Sequence, residues 1–373
     1  MFLALREMRR AKVRFGLLIA AIGLLVFLIL TQQALQDGLI TSFVGAIERQ
    51  SAPVLVYSVD GQRTLQGSVI PPDLERGIGE VDGVAEAGRL GQGTFTVNVG
   101  DDADSDAALI GFERQDLGGP DGLSAGRLPE ADGEAVGSDT DFSVGDTVRV
   151  VGAGGGDGPE LTVVGLAEDA QIQVSPTLFV RWPDYEAATS AANPDAGTVL
   201  PNAIGVRPEG GVSADQLVSR INDASEDADA LTRSAAAVEA PGVAQVRQSF
   251  NIIFLLYGLV VPLVTGLFFL IITFQKAGAL TLLRAIGARS GVLVRSLLVQ
   301  VVLVIGGGIV VGTALFAPLS QARLGSLALR FDPTAVLAWA ALLMVLGLAS
   351  ALVAARRVLA IDPIEATTGG GAR

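Results

Sequence analysis

The chain has 373 residues, half of them apolar, with 26 basic against 39 acidic residues and neither cysteine nor histidine. Disulfides, thiolate metal sites, histidine-ligated zinc and histidine-based acid–base catalysis are therefore excluded. Its two lysines, Lys12 and Lys276, follow Ala11 and Gln275, so no Gly-Lys-Ser/Thr phosphate loop exists and ATP is not hydrolysed by that route.

The chain opens on a basic stretch, residues 1–14, read as a cytoplasmic amphipathic segment, with Arg6, Arg9, Arg10, Lys12 and Arg14 ahead of an apolar run from Phe15 to Leu30. This predicts a first membrane span over 15–35. No small-x-small cleavage site follows closely, which favours an uncleaved anchor over a cleaved leader.

Residues 36–248 contain no apolar run of spanning length and alternate between short strands and short helices, the pattern of an α+β domain. Val54–Val59, Gly93–Val99 and Ala107–Phe112 read as strands, and Pro71–Gly79 as a helix started by proline. A second set has strands Thr177–Trp182 and Ala203–Arg207 and a helix begun by Ser213, with Leu217, Val218 and Ile221 on one face. Between the sets, about 120–170, strands Val144–Val151 and Leu161–Leu166 and glycine-rich turns predict a small β-rich insertion.

Two motif-like runs stand in this region. Gly152, Gly154, Gly155, Gly156 and Gly158 sit between two strands, without the strand-to-helix context that cradles phosphate, and read as a hairpin loop. Asp102, Asp104, Asp106 and Glu113 fall at positions 1, 3, 5 and 12 of a calcium loop, but Ala107 replaces the required glycine; a solvated acidic turn fits better and no metal is expected. Carboxylates and serines are plentiful, yet no catalytic constellation stands out, so a non-catalytic chain is expected.

Three further runs, 252–274, 297–317 and 335–355, each give about 30–35 Å of helix, enough to cross the hydrocarbon of a bilayer. Small residues recur in them at four-residue spacing: Gly258, Pro262 and Gly266; Gly308 and Gly312; Gly347, Ala351 and Ala355. Such faces allow close helix approach in lipid, within one bundle or between two copies. The connection 275–296 carries Lys276, Arg284, Arg289 and Arg295 with no acid, and the tail 356–373 begins with Arg356 and Arg357.

The charge distribution orients these pieces. Between Leu35 and Gln248, 12 basic residues face 35 acidic ones, a net of −23, while the rest of the chain carries +10. Basic segments stay on the cytoplasmic side, so both termini and 275–296 are expected inside a cell membrane, with 36–248 and the loop 318–334 outside. The acidic excess also argues against nucleic acid as a partner.

Leu282-Leu-Arg-Ala-Ile-Gly-Ala in the cytoplasmic connection and Ile361-Asp-Pro-Ile-Glu-Ala after the last span are similar to the coupling helix and C-terminal signature of the FtsX/MacB-like ABC transporter permeases. Gly126-Arg-Leu-Pro, Val144-Gly-Asp-Thr-Val and Thr162-Val-Val-Gly-Leu resemble the MacB-type extracytoplasmic core, and the order of elements matches over nearly the whole chain. The resemblance implies a four-helix permease subunit with a large α+β extracytoplasmic domain, exporting or extracting a lipid-like, peptide or hydrophobic substrate. It implies coupling to a cytoplasmic ATPase through Lys276, Leu282, Leu283, Arg284, Ala285, Gly287 and Arg289, with ATP and magnesium held by that partner and no cofactor here. A second permease copy, membrane lipid and an extracytoplasmic substrate-binding or effector protein are the other implied partners. The alternative it leaves open is a signal transmitter activating an extracytoplasmic protein such as a cell-wall hydrolase. Gln275-Lys-Ala-Gly-Ala lacks the acidic residue the family often places before the coupling arginine, which implies a remodelled ATPase contact.

Overall fold

The computed structural model describes residues 8, 10–100, 103–195, 197–275, 290–320, 323–324, 327–329 and 331–359. The chain divides into two units, one of Met1–Gln36, Gln248–Leu324 and Ala328–Arg373, the other of Asp37–Arg247 and Gly325–Leu327. The boundary falls inside two helices, α1 (Lys12–Arg49) and α6 (Val243–Gln275), each of which is unbroken across it.

The first unit is helical. Four helices contain segments long and apolar enough to cross a membrane: Lys12–Arg49, Val243–Leu267, Leu298–Leu319 and Pro333–Val353. The last two belong to α7 (Ser290–Leu319) and α8 (Pro333–Leu359). Ile22, Ile29, Val261, Val304, Ile305, Phe316 and Leu343 meet in their shared interior.

The second unit is a mixed α/β domain. Among its described residues ten strands form one sheet, in the order β10-β1-β9-β2-β3-β8-β5-β7-β4, with β6 bridging β2 and β7. The strands are β1 (Val54–Ser58), β2 (Val84–Val99), β3 (Ser105–Phe112), β4 (Ala125–Gly126), β5 (Glu134–Ser138), β6 (Thr147–Val151), β7 (Asp157–Ala167), β8 (Thr177–Arg181), β9 (Ala203–Pro208) and β10 (Ala228–Thr232). The helices are α2 (Pro72–Gly79), α3 (Trp182–Ala192), α4 (Ala214–Ala224) and α5 (Arg233–Val238).

Sixteen residues long, β2 serves two halves of the sheet. Its first half pairs with β9, and β1 and β10 continue that antiparallel run. Alternate residues Val54, Val56, Ile204, Val206 and Ala230 turn to one face, where Leu217 and Ile221 of α4 and Ile78 of α2 cover them. Each such buried valine, leucine or isoleucine side chain contributes about 1.5–3 kcal/mol. The predicted cap of α4 is present as a capping box, with Ser213 and Gln216 each bonding the other's backbone amide.

The second half of β2 begins a ring. β2 pairs with β3, β3 with β8, β8 with β5, β5 with β7, β7 with β6, and β6 returns to β2 at Val97–Val99. The ring encloses Phe95, Val97, Leu109, Val148, Val150, Leu161, Val163, Leu178 and Val180, and α3 adds Trp182, Tyr185 and Ala188 to that cluster. The Tyr185 ring rests on Gly91 and Gly111, where any Cβ would overlap it. The β-rich segment about 120–170 thus belongs to the same hydrogen-bonded sheet as the strands around it. The strand read from Val144 starts only at Thr147, because Ser143–Asp146 forms a turn with Gly145 at φ 99°.

The sheet edges are closed. On β10, Asn222 of α4 accepts from the Ala230 amide at 2.7 Å and donates to its carbonyl at 3.1 Å, occupying the groups a further strand would use. At the other end β4 has only two residues, one of them Gly126 at φ 74°.

Candidate functional site

Within the second unit, the face of the sheet carrying Leu55, Tyr57, Leu90, Ile110, Phe112 and Phe179 is covered by the last turns of α1 and by α5 with the start of α6. Ile40, Phe43, Val44 and Ile47, at helical spacing along α1, pack into this cluster with Ala236, Ala237, Ala240 and Val243. The ends of two long apolar helices are therefore built into the core of the α/β unit.

The α1 attachment goes beyond apolar packing. The amide of Val174 donates to the Ser42 carbonyl at 2.8 Å, that of Gln173 to the Phe43 carbonyl at 3.0 Å, and that of Ala46 to the Gln171 carbonyl at 2.9 Å. Ser42 and Ala46 are the acceptor and donor that an isolated helix would join to each other, and here each has a partner in the connection between β7 and β8. Gly45 makes the approach possible, since a Cβ there would collide with the Asp169 carbonyl oxygen. Arg49 closes the contact with an ion pair to Asp169 at 3.2 Å.

The connecting segment is anchored equally firmly on its other side. Gln171, 4 % exposed, donates its side-chain amide to Asp141 Oδ2 at 2.6 Å, and Ser138 Oγ donates to the same oxygen at 2.6 Å. The Ile172 amide donates to Thr177 Oγ1 at 3.0 Å. Asp169, Gln173 and Val174 hold φ of 58°, 53° and 60°, left-handed values that are costly for non-glycine residues and above all for a β-branched valine.

The second attachment centres on arginines. Arg233, at the start of α5, donates to the Gln50 carbonyl at 2.7 Å and to Asp121 Oδ2 at 3.0 Å, tying the chain before α6 to the chain just after α1. Arg63 joins Asp229 of β10 at 2.8 Å and also Glu239, just past α5.

Elsewhere in the unit, burial pushes the Tyr185 phenol up to about 12, and its hydroxyl donates to Asn202 Oδ1 at 3.2 Å. Burial raises the Asp184 carboxyl above the ordinary carboxylate range, while the Gly133 amide, which donates to it at 2.8 Å, pulls it down. Hydrogen bonds from Arg127 and from the Glu130 and Ala131 amides hold Glu134 at about 2.

Among the described residues no group of three or more acidic residues is placed to hold a metal ion. Asp106 and Glu113 lie at and just beyond opposite ends of β3, about 23 Å apart at the rise of an extended strand. Asp106 accepts weakly from Thr96, and Glu113 from the Arg89 amide, so with Asp104 they share no centre; Asp102 lies outside the described residues. Gly152, Gly154, Gly155 and Gly156 connect β6 to β7, with Gly154 and Gly155 at positive φ, and Gly158 is already the second residue of β7.

The small-residue positions form seams inside the helical unit. A Cβ on Gly312 would lie 2.6 Å from the Gly23 carbonyl oxygen, and one on Gly308 would overlap Ile22, so α7 and α1 meet at glycine. Gly347 of α8 receives Ile305 of α7, and Gly266 of α6 receives Ser350 of α8, whose hydroxyl donates to the Pro262 carbonyl at 2.8 Å. Gly258 has nothing within 4 Å of where its Cβ would be. Lys276, Leu282, Leu283, Arg284, Ala285, Gly287 and Arg289 lie outside the described residues.

No protein-family model matches the chain. Among solved structures, half of this chain is similar to the periplasmic region of MacB from Actinobacillus actinomycetemcomitans, covering 92% of it at 13% identity with a TM-score of 0.36. The extracellular domain of YknZ, described as a noncanonic ABC-type transporter from Gram-positive bacteria, is covered over 99% of its length by 48% of this chain, at 17% identity and a TM-score of 0.31. A domain of a putative permease protein from Porphyromonas gingivalis is covered over 88% by 49% of this chain, at 16% identity and a TM-score of 0.30.

Proposed function

We propose that the chain is the membrane subunit of an ABC transporter of the FtsX/MacB mechanotransmission type, passing work from ATP hydrolysis on a separate chain to an extracytoplasmic domain that exports or extracts a hydrophobic, lipid-like or peptide substrate. The observation that carries this reading is the continuity of α1 and α6: each is one helix from a membrane-length apolar segment to the core of the α/β unit. A helix resists axial compression and extension through its hydrogen-bond ladder, so movement at one end is delivered to the other. The basic connection 275–296, without an acid, suits the cytoplasmic side and an ATPase surface, and the absence of a phosphate loop requires that ATP be bound elsewhere.

In this reading Leu283 and Arg284 seat the connection on the ATPase, with Lys276 and Arg289 flanking it. The chain acts as one of two permease copies, with both termini cytoplasmic. The test is to replace Leu283 and Arg284 together by alanine, verify membrane insertion, and measure how much ATPase copurifies from native membranes. Loss of the ATPase is expected; full retention would remove the coupling role from these residues.

A further inference from the structure

From the attachment of α1 we infer that segment 169–175 is a strained latch: it grips α1 through the backbone at Ser42, Phe43 and Ala46, passes axial movement of that helix into the strand ring, and releases the helix under load. This rests on the proposed function only in that α1 moves along its axis.

Three independent features converge on the segment. Its backbone bonds to the Ser42 and Phe43 carbonyls and the Ala46 amide in the last turns of an unbroken α-helix, at a point where Gly45 lets the Asp169 carbonyl approach. Three of its residues sit in the left-handed region without being glycine, a conformation that persists only where surroundings enforce it and that gathers at switching segments. Its opposite side is fixed to the ring, through Gln171 to Asp141 beside β5 and through Ile172 to Thr177 of β8. A segment held on both sides and strained between them transmits small displacements. Under larger ones it lets go on the side whose loss relieves the strain. That side is α1, because the Ser42 carbonyl and the Ala46 amide stand at helical i, i−4 spacing and satisfy each other within the helix, whereas freeing Gln171 would leave a buried amide and the Asp141 carboxylate without each other.

Bilayer thickness supplies a load without any ATPase, since helices respond to hydrophobic mismatch by tilting or shifting. The full chain is placed in nanodiscs of short-chain or long-chain phosphatidylcholine, and amide hydrogen exchange is read residue by residue. In the mismatched bilayer, exchange at Gln173 and Val174 is expected to rise about tenfold, with Ile204 and Val206 of β9 unchanged, the mark of a local opening. Equal rates in both bilayers, or a rise spread evenly over the sheet, would overturn the latch. A second variant, Val174→Gly, keeps the backbone bonds and removes the side-chain strain; its exchange at 173–174 should slow several-fold, and faster or unchanged exchange would overturn the strain. With no ATPase present, a negative result leaves the permease reading intact, and failure of the ATPase test leaves the latch intact.

Discussion

The amide of Ala46 donates to the carbonyl oxygen of Gln171 across 2.9 Å, so a helix that runs unbroken from Lys12 shares its hydrogen-bonding groups with the β7–β8 connection. Gly45→Val should therefore expel the Asp169 carbonyl from the surface of α1 and destabilise the α/β unit by about 2–4 kcal/mol, the scale of overpacking with lost buried hydrogen bonds. Thermal unfolding of the full chain in detergent, followed by tryptophan fluorescence, would show a lowered midpoint, whereas Val at the nearby exposed position Glu48 should leave it within a degree or two.

Arg233 gives a second reading of the same junction. Its guanidinium joins the Gln50 carbonyl to Asp121 through a single nitrogen, Nη1, and the ammonium of a lysine, one bond closer to the backbone, falls short of that position. Arg233→Lys should cost about 1–2 kcal/mol and Arg233→Ala about 1–3 kcal/mol, measured by the same unfolding assay.

In the helical unit, Gly308→Leu and Gly312→Leu should separate α7 from α1, while Gly258→Leu meets open space and should leave the bundle's stability unchanged. Resistance to unfolding in rising sodium dodecyl sulfate ranks the three variants. Equal sensitivity at all three positions would contradict the assignment of the Gly308–Gly312 seam to packing within one chain.

Acid should unfasten the turn before β5. Glu134 is held at about 2 against an ordinary 4.5 by Arg127 and two backbone amides. Its folded pKa is depressed, so the stability it contributes is present above about pH 4.5 and lost as pH falls through about 2. Glu134→Gln should lower the midpoint at pH 7 and narrow the gap to the parent at pH 2–3.

Of this architecture, the spans were the most legible part, because apolar length over about 18 residues has few other causes in water-soluble folds. The end of α1 was not: the apolar run stops at Leu30, and the helix continues through Thr31, Gln32 and Gln33 to Arg49. The spacing of Ile40, Phe43, Val44 and Ile47 held that signal, and Pro183 at the first turn with Tyr185 and Ala188 held the signal of α3, which begins at the Trp182 read as a strand end. Closure of the ring was beyond reach, since it depends on three residue pairs between β2 and β6 about 50 residues apart. The latch was equally hidden, because no propensity places Val174 at φ 60°.

The central claim is that movement of α1 and ATP hydrolysis on another chain are linked. Because the chain has no cysteine, Ser42→Cys with Val174→Cys introduces a single pair within it, at residues whose backbones are hydrogen-bonded at 2.8 Å. The measurement is the ATPase rate of the copurified complex in nanodiscs, before and after reduction of that pair. Oxidation should slow hydrolysis several-fold and reduction restore it, with the parent complex unaffected by either treatment; identical rates in the oxidised and reduced states would contradict the account.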